Sequence, residues 1–219
     1  MDGEIKSVLF DIDNTLYDYD SADAQAKEAV YAYCWQQFGW KVSEAKAYLQ
    51  EAQTQIKNHV EKISGKDTAV IHNRLIRFQK MLENQHLPLM PHAISLYNIY
   101  WDTFISSMEL SDGITDYIKS LKQNGIRIGI ATDMTAHIQF RKLEKLSLLS
   151  FVDFVVTSEE AGCEKPDKFF YELCIEKAGC LPEECLMIGD SLEKDVLGAK
   201  TAEMQAMRFH KGMTLTIPK

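Results

Sequence analysis

Two aspartates stand two residues apart in "VLFDIDNTLYD" (8–18), directly after an apolar run. A carboxylate pair at the end of a buried segment is costly unless something compensates it. Further along, "IATDM" carries Thr132 and Asp133, "EKPD" carries Lys165, and "IGDSLEKD" carries Asp190 and Asp195. Brought together, these carboxylates could not all ionise at short range without a cation. Ligation by oxygen alone favours a hard metal, and Mg2+ is the natural choice.

Something must bring them together. "IKSVLF" (5–10) is a short apolar run with no helical continuation and reads as a buried strand. From residue 111 strands and helices alternate. "IRIGIA" (126–131), "FVDFVVT" (151–157), "CLMIGD" (185–190) and "QAMRFH" (205–210) read as strands, with helices of ten to fifteen residues between them. That alternation implies crossover units and a parallel sheet. In such sheets the ligand crevice lies outside the carboxyl ends of the strands. The four motif segments all fall there.

Residues 20–108 interrupt this pattern. Their apolar residues recur at helical spacing through four segments, beginning with "SADAQAKEAVYAYCWQQFG" and ending with "PHAISLYNIYWDTFISSM". Ser21, Ser43 and Asp67 are expected N-caps, and Gly39 and Gly65 expected helix stops. The fold class is therefore α/β: a Rossmann-like parallel sheet flanked by helices, carrying an inserted α-helical domain. The expected division is 1–18 and 108–219 for the core, and 19–107 for the insertion.

The motifs "DIDNTL", the threonine ending the second strand, "KPD" and "GDSLEKDVLGA" together resemble the four motifs of the haloacid dehalogenase-like (HAD) hydrolase superfamily. The insertion between the first and second motifs resembles a C1-type helical cap. The layout is similar to members such as nucleotidases and N-acylneuraminate-9-phosphatase. The resemblance implies that Asp11 is a nucleophile forming an aspartyl-phosphate, and that Asp13 is the general acid, then base. It implies Mg2+ held by Asp11, the Asp13 backbone carbonyl and Asp190, with Asp195 orienting metal-bound water or pairing with Lys165. Lys165 and Thr132 would neutralise and bind the phosphoryl oxygens, helped by backbone N–H groups.

One residue departs from the pattern. Asn commonly follows the second-motif threonine, and here Asp133 does. An ionised carboxylate aimed at phosphate would repel it. Either the side chain turns away to cap the following helix and leaves its N–H in the site, or it selects an unusual substrate. The presence of Asp13 argues against dehalogenation and phosphonate cleavage, in which that second acid is typically missing.

The resemblance implies a Mg2+-dependent hydrolase of small phosphomonoesters, a nucleoside monophosphate or a sugar phosphate. A phosphomutase of the same superfamily and a non-catalytic binding protein are the alternatives. Substrate choice is expected from the cap, where Arg74 and Arg77 share a helix face and could meet a second anionic group. Connections near 17–20 and 106–112 are the expected hinges.

Composition narrows the partners. The 219 residues are 46% hydrophobic and 26% charged, with a formal net charge of −8. Such an acidic chain is a poor candidate for binding nucleic acid polymers or anionic membranes. No apolar run reaches transmembrane length, and the N-terminal segment lacks the basic region and cleavage site of a signal peptide. The five cysteines form no CxxC pair. Reduced thiols and a cytoplasmic location are expected.

Overall fold

The computed structural model describes residues 4–64 and 69–218. Gly65 and Asp67, read above as a helix stop and an N-cap, lie outside the described residues. The chain divides into two compact units, Met1–Tyr19 with Met108–Lys219, and Asp20–Ser107. No described helix is long and apolar enough to cross a membrane.

The first unit holds five parallel strands among the described residues. They are β1 (Ser7–Phe10), β2 (Arg127–Thr132), β3 (Phe154–Thr157), β4 (Cys185–Gly189) and β5 (Gln205–Arg208). Their spatial order is β3-β2-β1-β4-β5. After β1 the chain moves outward through β2 and β3, then returns to β1's other side for β4. Phe10 pairs with Ile130 on one side and Ile188 on the other. The strand order therefore reverses beside β1, and this is where a doubly wound sheet opens a crevice.

Burial on both faces explains the near-continuous apolar strands. All four residues of β1 and all five of β4 are buried. On one face Leu9, Ala131, Val156 and Met187 pack with Phe170, Tyr171 and Cys174 of α8 (Lys168–Ala178), which follows the one-turn α7 (Ser158–Ala161). On the other, Phe10 meets Tyr117 of α5 (Ile114–Gln123) edge to face, 6.1 Å between ring centroids. Asp167 caps α8 by accepting from the Phe169 N–H, and Gly179 ends it in the left-handed conformation.

The helical insertion between β1 and β2 contains α1 (Tyr19–Phe38), α2 (Val42–Ser64), α3 (Arg74–Asn84) and α4 (His92–Ser106). In α1 the buried residues Ala22, Ala26, Val30 and Cys34 repeat every four positions, which makes one inward stripe. Two N-cap expectations need correction. The helices begin at Tyr19 and Val42, so Ser21 and Ser43 lie inside their first turns. Asn14 Oδ1 accepts the Tyr19 N–H, and Glu44 reaches back to the Lys41 N–H, so each helix starts earlier than its serine. The third of the four helical segments is also interrupted among its described residues. Asn73 caps α3 by accepting from Leu75 and Ile76 N–H, and a short 3-10 turn, Ala69–His72, precedes it.

Candidate active site

Each strand that ends beside β1 delivers a polar residue to the same edge. The Asp11 N–H continues the ladder past the end of β1 by donating to the Ile188 carbonyl, 2.9 Å. Asp11 thereby stands next to Gly189 and Asp190 at the end of β4. The Lys165 ammonium reaches the cluster from the loop before α8. It donates to Asp11 Oδ1 (2.8 Å), Asp195 Oδ1 (2.7 Å) and the Ala131 carbonyl (3.1 Å). Lys165, Asp11 and Asp195 are all buried.

Asp195 is fixed by the local backbone. Ser191 caps a π-helical turn, Leu192–Leu197, by accepting from the Lys194 N–H, while its own N–H donates to Asp195 Oδ2 at 2.9 Å. Asp195 then lies so close to β4 that a Cβ on Gly189 would stand 2.3 Å from its Cγ. Only glycine fits there. The sequence predicts an ordinary helix over this stretch; its first turn is instead widened to the i→i+5 pattern, a form frequent at functional sites.

The electrostatics show an excess of negative charge. Burial pushes the Asp11 carboxyl up to about 7; Lys165 opposes the rise, and the Asp195 and Asp13 carboxylates add to it. Burial also raises Asp190, again helped by Asp195. Burial works against the Lys165 ammonium, but Asp11, Asp195 and Asp133 hold it well above the ordinary lysine value. One ammonium does not balance this set. Asp11, Asp190 and Asp195 offer oxygens that lie within 4.8 Å of one another. Both Asp195 oxygens already accept hydrogen bonds, so Asp11 and Asp190 are the better donors to an ion. These residues fit a divalent cation: the ligands are hard oxygens, and its charge would relieve the burial cost on Asp11.

Asp13 lies apart from that cluster. Its carboxylate accepts from the Lys142 ammonium at both oxygens, 2.7 and 2.9 Å, and from the Tyr17 hydroxyl at 2.5 Å. Lys142 belongs to α6 (Ala136–Lys145) and has no exposed side-chain surface. In the sequence it is one of several charges in "HIQFRKLEK". A signal was present, because Lys142 is four residues from Ile138 and so shares the apolar face of an amphipathic helix.

Thr132 and Asp133 follow β2. The Thr132 hydroxyl donates to the Asp133 carbonyl (3.2 Å) and accepts from Gln139 Nε2 (2.6 Å). The Asp133 carboxylate accepts from the Lys165 N–H (3.0 Å) and the Lys194 ammonium (2.7 Å). It does not cap α6, as one of the two expectations had it; the Ala136 N–H there donates to Glu159 instead. Lys194 is the reason, since its charge draws the carboxylate across to the π-helical turn. Met134, next in sequence, has φ 103°, a conformation costly for a side chain with a Cβ and concentrated at functional sites.

Arg74 and Arg77 belong to the other unit, and both are buried. The Arg77 guanidinium donates to the Ile71 carbonyl. The Arg74 guanidinium lies over the Tyr100 ring, 5.1 Å from its centroid. Both are thus engaged within that unit, and neither stands on a solvated helix face.

A parallel sheet with a helical insertion after its first strand, and acids from strand ends gathered round one lysine, is the frame of the haloacid dehalogenase-like hydrolases. The chain belongs to that family, whose model matches residues 5–203. It is 33% identical over 205 residues to the ribulose-1,5-bisphosphate 5-phosphatase of Halopiger xanaduensis, covering 93% of this chain and 84% of that one. It is 24% identical over 204 residues to the human N-acylneuraminate-9-phosphatase, covering 92% and 81%. Its fold is similar to that of the HAD-hydrolase YfnB from Bacillus subtilis, solved bound to magnesium, with TM-score 0.70 and 23% identity over 99% of this chain and 93% of that one.

Proposed function

We propose that the protein is a Mg2+-dependent phosphatase of small sugar phosphates that works through an aspartyl-phosphate on Asp11. The enzyme class, phosphoric monoester hydrolase, is that of its phosphatase relatives within the family. Sugar phosphates are preferred to nucleotides because both relatives are named for phosphorylated sugars. The observation that carries the reading is the Lys165 ammonium, shared between Asp11 and Asp195 beside Asp190.

In the first half-reaction an Asp11 carboxylate oxygen bonds to phosphorus as the bond to the leaving oxygen breaks. Asp13 gives that oxygen its proton. In the second half, water bonds to phosphorus, the Asp11–phosphorus bond breaks, and Asp13 takes the water's proton. Lys165 offsets charge on Asp11 and on the phosphoryl oxygens. Thr132 and the Asp133 N–H supply further donors, which requires the Thr132 hydroxyl to turn from the Asp133 carbonyl. Mg2+ held by Asp11, the Asp13 carbonyl and Asp190 would supply charge neutralisation and keep Asp11 ionised at neutral pH. Arg74 and Arg77, the two arginines of the helical insertion considered for substrate binding, are engaged within that unit.

The test is a phosphate-release screen over sugar phosphates and nucleotides with Mg2+, using Asp11→Asn as the blank. Turnover is expected from at least one sugar phosphate and is abolished in the variant, whose melting temperature stays near that of the parent. Release by Asp11→Asn at the parental rate would remove the nucleophile assignment. Absence of net release together with activation by a sugar bisphosphate would point to a mutase instead.

A further inference from the structure

Lys142 is a buried ammonium with no part in the reaction as written above. Burying such a charge is costly, and a methionine would fill the space without that cost. Its surroundings show what it serves. It donates to Asp13 Oδ1 at 2.7 Å and Oδ2 at 2.9 Å, and its nitrogen lies 3.6 Å from the Met134 sulfur. The rings of Tyr17 and Tyr19 stand 5.7 and 5.6 Å away, within cation–π range. The Tyr17 hydroxyl donates to Asp13 Oδ1 as well. Residue 17 is itself held by β-bridges to Asp13 and Leu110. Two donors, from α6 and from the turn after β1, thus converge on one carboxylate that is otherwise a quarter exposed.

We propose that Lys142, with Tyr17, is a positioning residue that holds the Asp13 carboxylate where it exchanges a proton with the leaving oxygen and then with water. The inference rests on the phosphatase reading and adds a part to it. Oδ1 carries both donors and is the anchored oxygen. Oδ2 carries Lys142 alone and is the oxygen that gives the proton to the leaving group and takes one from water. Lys142 keeps its own protons throughout. A carboxylate left free to rotate would lose the orientation that makes proton transfer effectively intramolecular.

The leaving group provides the readout. A poor leaving group needs the proton that Asp13 delivers, and an activated aryl oxide does not. In Lys142→Met, kcat for an alkyl phosphomonoester such as glycerol phosphate is expected to fall on the order of tenfold or more, against less than about threefold for p-nitrophenyl phosphate. KM for each ester is expected within about twofold of the parent. Lys142→Arg should recover part of the alkyl-ester rate, since guanidinium can give two parallel bonds to a carboxylate. Tyr17→Phe should show the same selectivity with a smaller loss, and it carries the test by itself if Lys142→Met fails to fold. Equal losses on the two esters, or a loss confined to KM, would overturn the inference and leave the phosphatase reading standing. A parent protein that turns over neither these esters nor any sugar phosphate of the screen would overturn both.

Discussion

Asp133 would repel a phosphate if its charge faced the substrate, and the Lys194 ammonium, 2.7 Å away, meets that charge instead. Burial works against the Lys194 charge, but Asp133 and Glu164 together raise its pKa. The side chain of Lys194 is 40% exposed, so solvent screens the pair and its worth is small, on the order of 0.5–1 kcal/mol. Its effect on activity should still be readable. Lys194→Ala is expected to lower kcat/KM about threefold to tenfold by leaving an uncompensated carboxylate beside the phosphate donors. Adding Asp133→Asn should restore most of that loss, because the neutral amide still accepts the Lys165 N–H. Kinetics on the two single variants and the double variant check this, and strictly additive losses would contradict it. The acids Asp11, Asp190 and Asp195 were legible from the sequence because residue type and strand-end position were enough to group them. The partners of Asp133 and Asp13 were not. Lys194 and Lys142 sit in charge-rich helical segments, where spacing separates an inward lysine from a solvated one only weakly.

At the scale of elements, alternating strands and helices made the parallel sheet legible. The order β3-β2-β1-β4-β5 was not, because alternation does not say on which side of β1 the chain returns. The break before α3 and the π-helical turn were hidden for a related reason. Both are set by side chains, Asn73 and Ser191, that bond nearby backbone N–H groups inside stretches of continuous helical periodicity. Asp153 does similar work at the start of β3. It accepts the Ile128 N–H (2.7 Å) and pairs with Lys122 of α5 (2.8 Å), while its N–H donates to the Ile128 carbonyl. Burial would raise this carboxyl, but the Lys122 and Ile128 donors hold it below the ordinary value of 3.8. A depressed folded-state pKa contributes stability that is present above the unfolded value and lost as pH falls through the folded one. Asp153→Ala is therefore expected to cost about 1–2 kcal/mol at neutral pH and less in strong acid. Urea denaturation at pH 7 and below pH 3.8 measures the two gaps. A gap that does not narrow in acid would mean that packing, and not the carboxylate, carries the effect.

Across the whole molecule, the clustered acids Asp11, Asp190 and Asp195 all belong to the unit formed by Met1–Tyr19 and Met108–Lys219. A divalent ion held there would therefore stabilise that unit in the first place. At a hundredfold excess over Kd, a ligand that binds only the folded state adds about 2.7 kcal/mol. For a chain of this size that corresponds to a rise in melting temperature of about 5–10 °C. A net charge of −8 would also attract any cation, so the measurement belongs in about 0.15 M salt, where long-range attraction is screened. Calorimetry with MgCl2 is expected to show this rise, and chelation should reverse it. Asp190→Asn should lose most of the shift, because a ligand is gone while Lys165, Asp11 and Asp195 keep their hydrogen bonds. If two transitions separate, the one belonging to Asp20–Ser107 should stay where it was. An equal Mg2+ shift in parent and Asp190→Asn would mean that the ion acts through the overall charge, and the assignment of the Asp11 and Asp190 oxygens as its ligands would fall.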